Sequence, residues 1–268
     1  MLNSGLLDRT ISKAEKVLKE LRQDVTIDGR ELTLYNAGID KGDTRFGLFA
    51  RDLFLSAFML DKEELLKEVT EFACLTQGKK RDPMTGEEPG KVIHEFERVS
   101  LRGRETRYNA SDTTQFTLIA FAELYENGNL DFVKSHEKSL REALAYLYDH
   151  VDEDLFWEDP AFSGAERFAL RSTYWKDDRL PGREYPDYPV AYLLVQAQTV
   201  AALRAMAKVS GEINLGYGEN DLRRKANRIV DATRSKLWSE ETNFPAIARD
   251  GKGVIQGISS DPLHALAY

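Results

Sequence analysis

The chain is 268 residues long, 42% hydrophobic and 31% charged, with a formal charge of −8. That make-up fits a globular protein able to bury a substantial core as one large domain or two smaller ones. The acidic balance argues against nucleic acid as the main partner, because phosphate contacts need a surplus of Lys and Arg.

The N-terminus, MLNSGLLDRTISKAEK, has no apolar signal-peptide core. Residues 7–22 form an amphipathic helical stripe through Leu7, Ile11, Ala14, Val17, Leu18 and Leu21. DVTIDGRELTLY, 24–35, reads as a hairpin about Asp28-Gly29. Residues 47–60 are apolar nearly all round, broken by Arg51, Asp52 and Ser56. The next segment, 62–76, is amphipathic through Leu65, Leu66, Val69, Phe72 and Ala73, and it carries Cys74. As the one cysteine, Cys74 excludes an internal disulfide, suits a reducing cytosol and reads as packing. Lys79-Lys80-Arg81 reads as a solvated loop, and 92–99 as a short strand. Residues 112–125 are again apolar on every side, whereas 130–150 are amphipathic through Val133, Leu140, Leu144, Leu147 and Tyr148. The pattern repeats with 189–209, apolar all round, and 219–238, amphipathic through Leu222, Ala226, Ile229, Val230 and Leu237. The glycine-rich 251–257 matches neither the phosphate-loop nor the dinucleotide fingerprint and reads as a turn. A last apolar run starts at Pro262, and Ser259-Ser260-Asp261-Pro262 is a helix-start signal.

A helix hydrophobic all round has to be enclosed, and an amphipathic one shields it. Enclosed segments begin near 47, 112, 188 and 262, at intervals of roughly 65 to 75 residues. The pattern predicts an all-α fold: an α/α toroid of alternating inner and outer helices, forming a single domain over 1–268. Four inner helices, the last cut short, make an incomplete ring, so the expectation is a domain truncated at its C-terminus; the (α/α)6 barrel of the group named below would have six. No stretch of about 18 apolar residues occurs, which predicts no membrane span and a cytoplasmic location.

Polar residues stand where this pattern does not want them. Arg51-Asp52 opens the first enclosed helix, Tyr108-Asn109-Ala110-Ser111-Asp112 leads into the second, Trp175-Lys176-Asp177-Asp178 precedes the third, and Ser259 to His264 opens the fourth. In a ring of parallel inner helices these ends share one rim, and hydroxyls, carboxylates and aromatic rings converging there suit a carbohydrate. Each has a plainer reading as well: Ser111, Asp112 and Asp261 as helix caps, Arg51 with Asp52 as a local ion pair, Trp175 and His264 as packing. His94-Glu95 lacks a second histidine at metal spacing, so no metal is expected, nor any cofactor.

At these residues the sequence resembles a known group. RFGLFARDLFLSAFML, GKVIHEFE, RYNASDTTQFTLIAFAELYENGNLDFV, YWKDD and SSDPLHAL, in that order, are similar to motifs of the amylo-α-1,6-glucosidase domain of glycogen debranching enzymes, a group of (α/α)6-barrel glycosidases. The resemblance implies hydrolysis of α-glucosidic bonds with inversion, which needs an acid and a base carboxyl. It implies Asp177 as the acid, with Asp178 raising its pKa or taking its place. Arg51, Asp52, Glu95, Tyr108, Asn109, Asp112, Trp175, Lys176, Asp178 and His264 would line the sugar pocket, and an oligosaccharide or α-glucoside would be the substrate. The chain departs from the motifs at Leu193-Leu194-Val195-Gln196, where relatives carry Glu-Val-Gln, at Asp178 in place of serine, and at Ala50 in place of glycine. The base would lie beyond Tyr268. Two other readings stay open: a sugar epimerase or isomerase, which wants paired histidines, and a carbohydrate-binding or structural toroid without catalysis.

Overall fold

The computed structural model describes residues 4–39, 45–176, 179–181 and 185–268. The amphipathic N-terminal segment forms α1 (Ser4–Leu21), followed by the hairpin of β1 (Arg22–Ile27) and β2 (Arg30–Tyr35), in register from Arg22↔Tyr35 to Ile27↔Arg30. Asp28 and Gly29 turn it with positive φ at both residues, as a tight hairpin turn between twisted strands requires. A two-residue pair, β3 (Gly38–Ile39) with β4 (Arg45–Phe46), leads into α2 (Ala50–Leu60) and α3 (Glu63–Leu75). Asp61 joins these helices in the left-handed conformation at φ 50°. After β5 (Ser100–Leu101) and β6 (Arg104–Glu105) come α4 (Thr113–Glu126), α5 (Leu130–Ser135) and α6 (Glu137–Asp149). The amphipathic stretch 130–150 is thus two helices, parted at His136, whose ring bonds back to the Phe132 carbonyl and to Glu71.

The second half opens with β7 (Val151–Asp152), β8 (Leu155–Phe156) and β9 (Ala191–Tyr192), ahead of α7 (Leu193–Val209) and α8 (Glu219–Lys236). The apolar segment from 189 therefore starts as strand, and α7 begins four residues later. The chain then runs through β10 (Trp238–Ser239), β11 (Phe244–Pro245), β12 (Ala248–Asp250) and β13 (Gly253–Ile255) to α9 (Asp261–Ala265). The glycine-rich 251–257 supplies the turn between β12 and β13, which stack on β9 in the antiparallel order β13-β12-β9.

The expectation of an all-α fold is therefore corrected. The chain is about 46% helix and 16% strand, its strands paired into several small antiparallel sheets. The reason is local. Most of these strands are two or three residues long, closed by turns such as Arg102-Gly103 and Glu153-Asp154 with positive φ. The expected strand at 92–99 is only a single antiparallel bridge, Phe49↔Glu95.

Of the segments read as enclosed, α4 and α7 lie mostly inside, whereas α2 leaves Leu55 and Met59 exposed and the last apolar run leaves Leu263 and Leu266 exposed. Helix α4 packs between α2 and α7, α3 covers α2 and α4, and α8 covers α7. Phe54, Phe58 and Phe116 gather their rings between α2 and α4, with Tyr268 6.2 Å from Phe116. Enclosure of such helices supplies the main stabilising term, about 25 cal/mol per Å² of apolar surface removed from water. Helix α1 is less covered: Ile11 and Val17 stay exposed beside an apolar groove of about 530 Å³ against Met59 and Leu60. Cys74 lies against the core, and burial pushes its thiol up to about 12, which suits packing and not nucleophilic attack. Among the described residues no helix is long and apolar enough to cross a membrane.

Candidate active site

Two aspartates at helix starts do something other than cap. Asp112 occupies the N-cap position of α4, but its side chain makes no capping bond. Its carboxylate instead accepts from the Nε–H of Arg51, at 2.8 Å to Oδ2 and 3.1 Å to Oδ1. Both partners are buried, so the pair must offset a heavy desolvation cost. The same substitution of role holds at α9, where the Asp261 carboxylate is 2.9 Å from the indole Nε1 of Trp175 and 3.3 Å from the Lys176 ammonium.

One short segment, 172–176, connects these places. The Thr173 carbonyl accepts from Arg51 Nη2 at 3.4 Å and from both the backbone N–H and the hydroxyl of Ser111, at 2.8 and 3.1 Å. Ser172 meets the Tyr192 hydroxyl at 3.4 Å, and the Tyr174 and Tyr192 rings stack 4.6 Å apart at 6°. Trp175 then reaches Asp261 and sets its ring edge-to-face against His264, 5.0 Å away. The segment is thus stitched to the starts of α2, α4, α7 and α9. Asp177 and Asp178, which follow it, lie outside the described residues.

Asp52 is open to solvent, yet its carboxyl pKa is raised: desolvation by the packed neighbourhood outweighs the attraction of Arg51, and Asp112 adds repulsion. His94 and Glu95 are both buried, their side chains 3.9 Å apart. This is no ion pair. Burial first, and Arg51 second, drive the His94 pKa down to about 3, and its Nδ1 faces the Thr106 carbonyl at 3.3 Å, so the neutral ring carries its proton there. Tyr108 donates to the Thr76 carbonyl at 2.9 Å, at the end of α3. Asn109 accepts from Ala169 and Leu170 and donates to Thr85. Hence the structure gathers Arg51, Asp112, Trp175, Lys176 and His264 around one segment, with Asp52 beside them; Tyr108 and Asn109 spend their polar groups on neighbouring loops. Gln196 clasps both backbone groups of Phe156, at 2.8 and 2.9 Å, and so extends β8 onto α7.

The sequence reading missed a buried charge cluster next to this site. Lys91, wholly buried, lies 3.2 Å from Glu88 and 2.9 Å from Glu158. Glu88 also meets His150 Nε2 at 2.8 Å, and Tyr146 donates to Glu158 at 3.5 Å. The available signal was a lysine and a glutamate inside the apolar stretches GKVI and LFWEDPAF.

The depressed His94 pKa has a consequence for stability. The folded value, about 3, lies below the ordinary 6.5, so this contribution is complete above pH 6.5 and is lost as pH falls towards 3. At pH 5 the loss amounts to about 2 kcal/mol. Chemical denaturation of the wild type and of His94→Gln at pH 7 and pH 5 checks this: the variant is expected to lose about 2 kcal/mol less on acidification.

No family model matches the chain, and no curated protein matches it. Among solved structures, the chain resembles the GH78 family rhamnosidase of Bacillus sp. GL1 at 13% identity and a TM-score of 0.57, over 82% of this chain and 21% of that one. It also aligns with the rhamnosidase from Klebsiella oxytoca with rhamnose bound, at 12% identity and a TM-score of 0.48, over 75% of this chain and 35% of that one. The first likeness is one of fold alone, and it gives no support to the glycogen-debranching family. The chain spans about a fifth of the Bacillus protein.

Proposed function

We propose that this chain belongs to the catalytic domain of a glycoside hydrolase, with the sugar bound where segment 172–176 meets the starts of α2, α4, α7 and α9. That convergence is the observation that carries the reading. It groups a buried Arg51–Asp112 pair, the exposed Asp52 with its raised carboxyl pKa, an indole and the Lys176 ammonium. Charged and aromatic groups held this firmly are suited to a neutral polyhydroxylated ligand: planar groups for hydroxyls, a ring for the apolar sugar face. The fold likeness to a rhamnosidase supports the same class of chemistry. Within it, the motif order favours α-linked glucosides, with Asp177 as the acid of an inverting mechanism. The wall residues in this reading are Arg51, Asp52, Asp112, Trp175, Lys176, Asp178 and His264.

The test is a panel of aryl and oligosaccharide glycosides, α-1,4- and α-1,6-linked glucosides beside rhamnosides, followed by NMR of the first-formed product. Release of sugar from the glucosides with inverted anomeric configuration supports the full reading. Turnover of rhamnosides alone keeps the glycosidase and rejects the glucoside. Absence of both turnover and binding across the panel rejects the reading altogether.

A further inference from the structure

The start of α4 spends its polar side chains away from the helix. Asp112 pairs with Arg51 and makes no capping bond, and Ser111, one residue earlier, turns its hydroxyl to Thr173. The Thr173 carbonyl thus takes two donors from this one residue, the backbone N–H at 2.8 Å and the hydroxyl at 3.1 Å, beside Arg51 Nη2. Asn109, two residues before Ser111, uses its amide oxygen on the consecutive backbone N–H groups of Ala169 and Leu170, at 2.7 and 3.1 Å. Both side chains are buried. The other end of the Asn109 amide donates to the Thr85 carbonyl at 3.3 Å. Gly86, at φ 74°, leaves room for that amide, since a Cβ there would stand 2.8 Å from its nitrogen. Arg102 holds Ala169 by its remaining backbone group, Nη1 donating to the carbonyl at 2.7 Å. The run 169–173 is therefore gripped at both ends by two side chains that stand two positions apart. A helix start built for stability alone caps itself; this one leaves its side-chain cap unmade and holds another part of the chain.

We propose that Asn109 and Ser111 are positioning residues of the sugar site: by gripping 169–170 and 173 they set where the Trp175 ring stands and where the Thr173 carbonyl meets Arg51. The inference rests on the reading of segment 172–176 as a wall of that site. Fixing the Thr173 carbonyl fixes the whole peptide plane between Thr173 and Tyr174. The Tyr174 ring is in turn stacked on Tyr192, so the backbone that carries Trp175 has little freedom left. Groups that meet a sugar must be held to within a fraction of an ångström, and a grip on the residues just ahead of the indole supplies that constraint. Neither Asn109 nor Ser111 touches the sugar in this scheme; both act through the segment.

The test compares Asn109→Ala, Ser111→Ala and the double variant in the whole chain, well below the temperature at which each unfolds. One readout is the indole N–H spectrum of 15N-labelled protein, which holds three tryptophans, 157, 175 and 238, with the Trp175 signal assigned from Trp175→Phe. The other is kcat/KM on whichever glycoside the wild type turns over. Each single variant is expected to lower kcat/KM by about threefold to tenfold, because the other grip remains, and the double variant by about a hundredfold. The Trp175 signal should move in the double variant while those of Trp157 and Trp238 stay in place. Should the variants that lack Asn109 fail to fold, Ser111→Ala, which removes one hydroxyl and keeps the backbone donor, carries the test through a smaller shift of the same signal. An unmoved Trp175 signal in the double variant, or in Ser111→Ala where that variant stands alone, overturns the grip. So does a loss of kcat/KM in Asn109→Ala with the Trp175 signal in place, which would mean that Asn109 meets the sugar itself. A wild type that turns over no glycoside defeats the hydrolase reading instead, while the indole spectrum still decides the grip.

Discussion

Lys91→Ala is expected to cost the protein about 3 to 5 kcal/mol, the range for leaving one member of a buried ion group uncompensated. The lysine is fully enclosed and meets two glutamates, Glu88 and Glu158, that are nearly as buried. Burial opposes the charge on Lys91, but the two carboxylates outweigh it and hold the pKa above the ordinary lysine value. The glutamates divide unequally. Burial would raise Glu88, yet Lys91 and His150 together pull it below the usual carboxylate range. For Glu158 burial wins over Lys91, and its pKa is raised. Without the lysine, two carboxylates face each other in a low-dielectric interior, and one must take up a proton or draw in water.

For a domain of this size the loss corresponds to a fall in Tm of about 10 °C or more, readable by calorimetry. A second variant sharpens the assignment. Lys91→Met with Glu158→Gln removes a charge of each sign and fills much of the volume, so it should be markedly more stable than Lys91→Met alone. Equal stability of the single and double variants would mean that the three groups are not coupled. Because the Glu158 charge is already opposed by burial, Glu158→Gln alone should cost less than Glu88→Gln, which also abandons His150.

How far all this could be read from the sequence depends on the distance over which each feature is encoded. The long helices are local patterns: α4 and α8 lie within about two residues of the segments read from hydrophobic period. The β1–β2 hairpin is equally local, because Asp28-Gly29 writes its own turn. The two-residue strands carry no period at all, and their absence from the reading made the fold look purely helical. Arg51 was legible because a guanidinium inside an apolar helix demands a partner, but nothing near it names Asp112, 61 residues away. Asp112 and Asp261 looked like caps for a physical reason: an aspartate at a helix start is the usual cap, and only tertiary structure reveals that each carboxylate is used elsewhere. Lys91 and Glu158 were missed on the same ground, since their separation of 67 residues leaves no local trace of the pairing. Long-range polar pairing was therefore the part hidden from the sequence, and it is also what builds the site.

Asp177→Asn is expected to lower kcat on an unactivated glycoside by about 10²- to 10⁴-fold, the range for removal of a general acid. The amide keeps the size and most of the packing of the side chain, so the loss should fall on the chemical step, with KM little changed. The size of the effect should depend on the leaving group. A sugar alcohol leaves as a strongly basic alkoxide unless it is protonated, whereas a dinitrophenolate needs no proton. Hence the variant should recover most of its activity on a dinitrophenyl glycoside, and the alkaline limb of its pH–rate profile, which reports the acid, should disappear. Asp178→Asn separates the neighbours. If Asp178 only raises the pKa of Asp177, its loss moves the alkaline limb to lower pH and leaves much of kcat. If instead Asp178→Asn shows the leaving-group dependence and Asp177→Asn does not, the acid is Asp178.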